Sequence, residues 1–197
     1  MERLYRVSAR GETFHVSERS GEFHRVALHG PDVFGGYELA DRIPGGLDGL
    51  TLLSPVVPSK IVCIGQNYRD HAAEMGKPVP EEPLLFMKPS TAVIGPGQPI
   101  RIPSGVGRVD YESELAVVIG RRAHRVARAD AWRYIFGLTC LNDVTARELQ
   151  RKDGQYTRAK GFDTFAPMGP AIAVGVQARP RAVEGWLNGE RRQASST

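Results

Sequence analysis

The sequence predicts a mainly β fold with few helices, in the α+β class. Near the N-terminus, short segments of alternating polarity are broken by Gly11 and Gly21, which indicates small antiparallel strands. The run Leu115–Ile119 is short, apolar and β-branched, as is typical of a buried strand. Near the end of the chain, Asn188-Gly189 is a strong signal for a hairpin turn.

Composition limits the class of protein. The 197 residues, 41% of them hydrophobic and 24% charged, suit one sizeable globular domain, with or without a small appendage. The net charge is +4, but the basic residues are scattered and form no stripe interleaved with aromatics, so no nucleic-acid partner is expected. No apolar run approaches the length of a membrane span and no signal peptide is present, so we expect no membrane partner and a cytoplasmic location.

The chain divides at a proline-containing segment. Residues 1–54 form a predicted small N-terminal domain of short strands and Gly/Pro-rich loops. The segment Ser54–Ser59 turns the chain into a new apolar strand, Lys60–Ile64, which opens a larger domain over residues 55–197. Cys63 lies inside that apolar strand and is predicted to be a core residue, with no pattern that indicates a disulfide.

A helical stretch follows that strand at residues 69–75. His71 and Glu74 are spaced i, i+3, which places them on one face of the helix. A histidine beside a carboxylate is held in one tautomer and gains basicity, as in a general base with its orienting group. The alternative is a surface helix that carries an incidental ion pair.

Two carboxylates stand at the head of the apolar strand. Glu112 and Glu114 are separated by one residue, and side chains at i and i+2 on a strand point the same way. Adjacent negative charges repel unless a proton or a cation lies between them, and Mg²⁺ or Mn²⁺ prefers oxygen ligands. The alternative is a solvated strand edge whose charges face water.

Further polar residues follow in the second half of the chain. A short helix with Asp130 as its N-cap is predicted over residues 130–136, ended by a glycine. The next strand ends at Asp143, and in a helix Arg147 and Gln150 would lie on nearly the same face.

Taken together, five ordered segments resemble the fumarylacetoacetate hydrolase family. In chain order they are IGQNYRDHAAEMG, FMKPSTAVIGPGQPIRIP, YESELAVVIG, GLTCLNDVTARELQ and RAKGFDTFAPMGP. The similarity covers roughly residues 55–197, and the ordered set is more specific than any single segment. Within the family, the last segment most resembles bacterial oxaloacetate decarboxylases and 2-hydroxyhepta-2,4-diene-1,7-dioate isomerases, with acylpyruvate hydrolases close behind.

The resemblance implies a mixed β-roll or barrel with a small leading domain, in a homodimer. It implies an Mg²⁺ or Mn²⁺ ion bound by three carboxylates, a catalytic His-Glu pair with a lysine, and two residues that face the substrate. The metal ligands would be Glu112, Glu114 and Asp143, the catalytic residues His71, Glu74 and Lys160, and the substrate-binding residues Arg147 and Gln150. For Lys88, in the Lys-Pro-Ser-Thr segment, substrate contact and a structural role both stay open.

Substrates in this family are 2-oxo or 2,4-dioxo acids. Their carboxylate and adjacent carbonyl chelate a metal, which stabilises an enolate. One site of this kind serves decarboxylation, hydrolysis and enol–keto isomerisation, and the fold does not choose among them.

The chain departs from the family at its C-terminal end. Family members continue beyond this point, through a Thr-Gly-Thr-Pro-like loop that helps to hold the substrate carboxylate, and nothing in this sequence corresponds to it. The catalytic domain is therefore expected to be C-terminally incomplete. An alternative function stays open, that of a catalytically incompetent metal- or acid-binding fragment of such an enzyme.

Overall fold

The fold is built almost entirely of strands. The computed structural model describes residues 1–68 and 80–197. The strands are β1 (Glu2–Ala9), β2 (Glu12–Arg19), β3 (Glu22–Leu28), β4 (Tyr37–Arg42), β5 (Thr51–Leu52), β6 (Ile61–Gly65), β7 (Leu84–Lys88), β8 (Val93–Ile94), β9 (Val109–Asp110), β10 (Ser113–Ile119), β11 (Ile135–Asn142), β12 (Thr145–Ala146), β13 (Ala166–Val174), β14 (Ala182–Leu187) and β15 (Glu190–Ser196).

Helices are short within the described residues. Two are α-helical, α1 (Arg147–Asp153) and α2 (Tyr156–Lys160). Three are single-turn or slightly longer 3-10 helices, at Val33–Gly35, Ser90–Ala92 and Arg128–Tyr134. The prediction of a mainly β fold with few helices is confirmed.

One large sheet organises the molecule. Its main path runs β10-β11-β13-β1-β2-β3-β4, with β5 paired to β1 and β8 paired to β13. The β8–β13 pairing is parallel whereas the remaining pairs are antiparallel, so the sheet is mixed. Three two-stranded sheets complete the fold, formed by β6 with β7, β9 with β12 and β14 with β15.

The N-terminal strands are joined by two-residue turns. Arg10 and Gly11 have φ of 51° and 82°, and Ser20 and Gly21 have φ of 54° and 83°. Turns with positive φ at both central positions match the twist of the flanking strands, which explains the glycine in each turn. The N-terminal strands also continue the large sheet, because β1 pairs with β13. The division of the chain at residue 54 stays a prediction.

The helix expected at Asp130 is displaced. The 3-10 helix begins at Arg128, with Ala127 as its N-cap, and Asp130 lies in its first turn. Ile135 and the residue after it belong to β11, and Ile135 pairs with Ile119 of β10. Tertiary pairing therefore shortens the helix at its C-terminal end, an effect that local sequence does not encode.

Within residues 1–68 and 80–197, the buried apolar side chains form three clusters. The first lies beside the polar residues described below and contains Val106, Val144, Ala146 and Phe165. Two others lie at the N-terminal strands of the large sheet. One contains Leu4, Val26 and Val33, and the other contains Tyr5, Val7 and Val16. The first cluster encloses the chain just after Asp143, so it fixes the backbone from which the carboxylate projects.

Candidate active site

Two adjacent strands bring three carboxylates together. Glu112 lies immediately before β10, Glu114 lies within it, and Asp143 follows the last residue of β11. The Asp143 backbone N–H donates to the Glu112 carbonyl at 2.8 Å, and the Glu112 N–H donates to the Asn142 side-chain oxygen at 3.0 Å. These bonds extend the β10–β11 register, which pairs Ser113 with Asn142. Residues that are 29 or 31 positions apart in sequence thus become neighbours.

Lys160 lies between two of these carboxylates. It is the last residue of α2 and is buried. Its ammonium donates to Glu112 Oε2 at 2.8 Å and to Asp143 Oδ2. The ring of Phe86 lies 4.9 Å from the same nitrogen, at the distance of a cation–π contact. The predicted active-site lysine is therefore in direct contact with two of the predicted metal ligands.

Lys88 contacts the other oxygen of Asp143. It ends β7, and its side chain is fully shielded from solvent. The ammonium donates to Asp143 Oδ1 at 2.7 Å and to the Val144 carbonyl at 3.2 Å. Burial lowers the pKa of Lys88, although the charge of Asp143 opposes the shift. This position favours a structural role, holding and neutralising Asp143, over direct substrate contact.

Arg147 and Gln150 lie on the exposed side of Glu112. Arg147 is the first residue of α1, and Gln150 lies on its next turn. The guanidinium donates to Glu112 Oε1, and to Gln150 Oε1 at 3.0 Å. The shared helical face predicted for these two residues is reflected in this contact.

Glu114 carries the least compensated charge in the cluster. Burial raises the pKa of Glu114 to about 7, and the charges of Glu112 and Asp143 add to the effect. Lys160 opposes the shift, as does a hydrogen bond from Tyr68. For Glu112, burial would also raise the pKa, but the charges of Lys160 and Arg147 outweigh it and hold the pKa below its ordinary value.

These residues form one alternating chain of charges. In order, it contains Arg108, Asp110, Arg147, Glu112, Lys160, Asp143 and Lys88, each bonded to the next. The chain runs from an Arg108 side chain that is 70% exposed to the fully buried Lys88. Glu114 stands beside this chain, and no lysine or arginine among the described residues forms an ion pair with it.

The donor set fits a hard divalent cation. Three carboxylates lie close together, the pKa of one of them is raised by burial and further by the charges of the other two, and oxygen ligands of this kind suit Mg²⁺ or Mn²⁺. In this conformation, no three His, Cys, Asp or Glu side chains of residues 1–68 and 80–197 form a group arranged to hold a metal. In the same conformation, the ammonium of Lys160 donates to both Glu112 and Asp143. The metal stays a prediction.

The predicted His71–Glu74 pair lies outside the described residues. The described chain ends at Tyr68 on one side of that segment and resumes at residue 80. Tyr68, the last described residue before that segment, forms a hydrogen bond with Glu114. The roles of His71 and Glu74 stay predictions.

Near the cluster lie Asp110, which the sequence did not single out, and Cys63, which it predicted as a core residue. Asp110 accepts from Arg147 Nε at 2.8 Å, and the period-2 spacing of residues 110, 112 and 114 could have revealed it. Cys63 lies close enough to Asp143 to feel its charge, but burial, the largest cause, raises the pKa of the thiol to about 12. The thiol therefore stays protonated, and Cys63 is a poor candidate for a nucleophile.

Most of the chain matches the model of one known protein family. The family model described as the fumarylacetoacetate (FAA) hydrolase C-terminal domain matches residues 60–197. The chain belongs to the fumarylacetoacetate hydrolase family. The match includes every described member of the charge chain and Glu114, so the cluster is part of the family domain.

The chain is also similar in sequence to individual curated proteins. The chain is 54% identical over 165 residues to an uncharacterized protein of Archaeoglobus fulgidus, covering 84% of this chain and 64% of the relative. It is 45% identical over 146 residues to the oxaloacetate tautomerase YisK of Bacillus subtilis, covering 71% of this chain and 48% of the relative. The chain thus spans less than two thirds of the length of these curated relatives.

Solved structures of family members share the fold. The 2-hydroxyhepta-2,4-diene-1,7-dioate isomerase of Mycobacterium marinum superposes with a TM-score of 0.87 at 36% identity, covering all of this chain and 75% of the other. This similarity confirms the predicted mixed β architecture of the fumarylacetoacetate hydrolase family. Among the described residues, no helix is long and apolar enough to span a bilayer.

Proposed function

We propose that the chain carries the site of a divalent-metal-dependent enzyme that acts on 2-oxo or 2,4-dioxo acids through an enolate. The observation that carries the proposal is that the ammonium of Lys160 donates to both Glu112 and Asp143, with Glu114 close enough for its pKa to be affected by the charges of all three. A cluster with this many buried charges is costly to fold, and such clusters with perturbed pKa values concentrate at functional sites.

The carboxylates would hold the metal. The oxygen donors would come from Glu112, Glu114 and Asp143. A cation would stabilise the ionised form of Glu114 most, because it would relieve the repulsion that adds to the effect of burial on the Glu114 pKa. When bound, Mg²⁺ or Mn²⁺ supplies a Lewis acid that polarises the 2-oxo group.

Arg147 and Gln150 would bind the acid group. Three N–H groups of the Arg147 guanidinium are used within the protein, which leaves two of its five donors for a ligand. Gln150 accepts from Arg147 through Oε1, so its amide N–H groups can donate to a substrate oxygen. Both side chains are partly accessible.

Lys160 would stabilise the enolate. In enol–keto isomerisation, a proton leaves C3, the C–H electron pair becomes the C2=C3 bond, and negative charge develops on the C2 oxygen. A preorganised ammonium beside that oxygen lowers the barrier. The buried Lys160, fixed by two carboxylates and packed on Phe86, is preorganised in this sense. His71, oriented by Glu74, is the residue proposed to carry the proton.

Enol–keto isomerisation is the first reaction to test. Two relatives are named oxaloacetate tautomerases, in Xenopus laevis and Bacillus subtilis, and a structural neighbour is named an isomerase. Decarboxylation and hydrolysis also generate the enolate of a 2-oxo acid, so the site chemistry supports them as well.

The experiment follows the enol absorbance of oxaloacetate with Mg²⁺ or Mn²⁺ present, and measures pyruvate release and acylpyruvate cleavage in parallel. We expect metal-dependent loss of the enol, slowed by about 100-fold or more in Lys160→Met. Lys152→Met, a solvent-exposed lysine on α1, is the matched control and should keep full activity. A folded protein that converts none of these acids with either metal would refute the proposed function.

A further inference from the structure

The guanidinium of Arg147 is fixed by three separate acceptors. Its Nε donates to Asp110 Oδ2 at 2.8 Å, its Nη1 to Gln150 Oε1 at 3.0 Å, and its Nη2 to Glu112 Oε1. Each nitrogen thus has its own partner. The side chain is only 17% exposed, so these bonds are largely protected from competition by water.

Asp110 is itself held from two sides. It ends β9 and pairs with Thr145 of β12, the strand that leads directly into Arg147. Its carboxylate accepts from Arg108 Nε at 2.7 Å and from Arg108 Nη2 at 3.1 Å. The Arg147 backbone N–H donates to the Arg108 carbonyl at 2.8 Å. The segment Arg108–Asp110 therefore fixes both the backbone and the side chain of Arg147.

Of the three acceptors that hold Arg147, Asp110 alone lies outside the proposed site. Gln150 and Glu112 belong to the proposed site and face the ligand and the metal, whereas Asp110 has no such role. A long arginine side chain loses rotamer freedom when it is fixed. Because Asp110 meets this requirement before a substrate arrives, the two remaining N–H donors are already placed to meet a carboxylate.

We infer that Asp110 is a positioning residue that orients Arg147 and thereby sets the affinity for the acid group of the substrate. Asp110 does not touch the reacting atoms and acts only through the guanidinium. The inference rests on the proposed function for its ligand, but the Asp110–Arg147 contact can be tested by itself.

Asp110→Ala is the variant to measure. We expect KM for the turned-over acid to rise by about 10–100-fold, the range found when the partner of a ligand-orienting group is removed, whereas kcat changes far less. Asp110→Asn keeps an acceptor without the charge, so its KM should fall between those of the wild type and Asp110→Ala. It also replaces Asp110→Ala if that variant does not fold.

Asp153→Ala is the matched control. Asp153 accepts from Arg158 Nε at 2.7 Å in an ion pair of the same kind, and its side chain is 22% exposed, as is that of Asp110. Its removal should leave both KM and kcat within about twofold, since surface ion pairs contribute little.

A spectroscopic measurement separates this inference from the proposed function. The Nε–H resonance of Arg147, assigned by its loss in Arg147→Lys, should be protected from exchange in the metal-free wild type and lost or exchange-broadened in Asp110→Ala. If the wild type converts no acid, the proposed function fails and this resonance alone decides the role of Asp110. An unchanged resonance, or an unchanged KM in an active protein, would overturn the inference.

Discussion

Lys88 illustrates how a buried charge is tolerated in this fold. Its side chain is completely shielded, and its ammonium bonds to Asp143 and to the Val144 carbonyl. Without Lys88, Asp143 Oδ1 and the Val144 carbonyl would lose a donor in a buried site, whereas Lys160 would still compensate the charge of Asp143. The role of Lys88 can therefore be measured as stability, without any substrate.

We predict that Lys88→Met lowers the free energy of unfolding by about 1–3 kcal/mol. In a chain of this length, that corresponds to a fall in melting temperature of roughly five degrees. Lys60→Met, at an exposed lysine, is the control and should leave the melting temperature nearly unchanged. Equal melting temperatures for Lys88→Met and the wild type would favour the other role, substrate contact.

For Glu114, we expect substitution to raise the stability of the metal-free protein, whereas substitution of Lys88 lowers it. Its pKa in the folded protein is about 7, raised from 4.5 first by burial and then by Glu112 and Asp143. The folded state therefore binds a proton more tightly than the unfolded state, so this group makes the metal-free protein less stable as pH rises from about 4.5 to about 7. Carboxylates with lowered pKa values, such as Glu2 and Glu18, change the stability at lower pH instead. They stabilise the folded state when ionised, and this stabilisation is lost as pH falls through their lowered pKa values.

We predict that Glu114→Gln in EDTA melts at a higher temperature than the wild type near pH 8, and that the difference shrinks towards about pH 5. The melting temperatures of both proteins, measured across this range, isolate the contribution of Glu114 from that of other titrating groups. Glu38→Gln, at an exposed glutamate of β4, should show no such trend. A wild type that is more stable than Glu114→Gln near pH 8 would contradict the proposed electrostatics.

At the scale of elements, the β11–β13 pairing depends on a glycine. A Cβ at Gly137 would lie 2.4 Å from the Ala173 carbonyl oxygen and 2.5 Å from Ile172 Cγ2. Backbone of the neighbouring strand cannot move aside without breaking the ladder that pairs Gly137 with Val174. Strand β11 carries Asp143 just beyond its end, so this close approach also supports the site.

We predict that Gly137→Ala lowers the free energy of unfolding by about 1–3 kcal/mol, the usual cost of overpacking. The matched control is Gly45→Ala, where a Cβ meets nothing within 4 Å and φ is not positive. Urea unfolding of both variants measures the difference. Equal stability of the two variants would mean that β11 and β13 are less closely apposed than described.

Local sequence predicted the strands better than the contacts between them. Alternating polarity and glycine turns located β1 to β3, and the β-branched run located β10, because both signals act over a few residues. The helix at Asp130 was misplaced because its last residues join β11, a choice made by pairing with β10. Likewise, the carboxylate pair was visible in the sequence, but its contact with Lys160 joins positions 48 residues apart.

At the scale of the whole molecule, apolar side chains remain exposed on two sheets. Val62, Leu85 and Met87 on β6 and β7 are 57%, 64% and 50% exposed, and Ile119 on β10 is 55% exposed. Exposed apolar patches often mark interaction surfaces. The homodimer implied by the family resemblance stays a prediction, which sedimentation analysis would test.

The stability of the whole molecule should increase when ligands bind at the site. A ligand that binds only the folded state stabilises it in proportion to its occupancy. Metal binding at Glu112, Glu114 and Asp143 should therefore raise the melting temperature. A second ligand that chelates the metal and reaches Arg147 should raise it further.

The most direct measurement is a thermal melt with EDTA, with Mn²⁺, and with Mn²⁺ plus oxalate, which imitates the enolate of a 2-oxo acid. We predict a rise with Mn²⁺, a further rise with oxalate, and the loss of both in Glu114→Gln. A cooperative melt that responds to neither Mn²⁺ nor oxalate, or a response that Glu114→Gln retains in full, would contradict a metal-dependent site at these carboxylates.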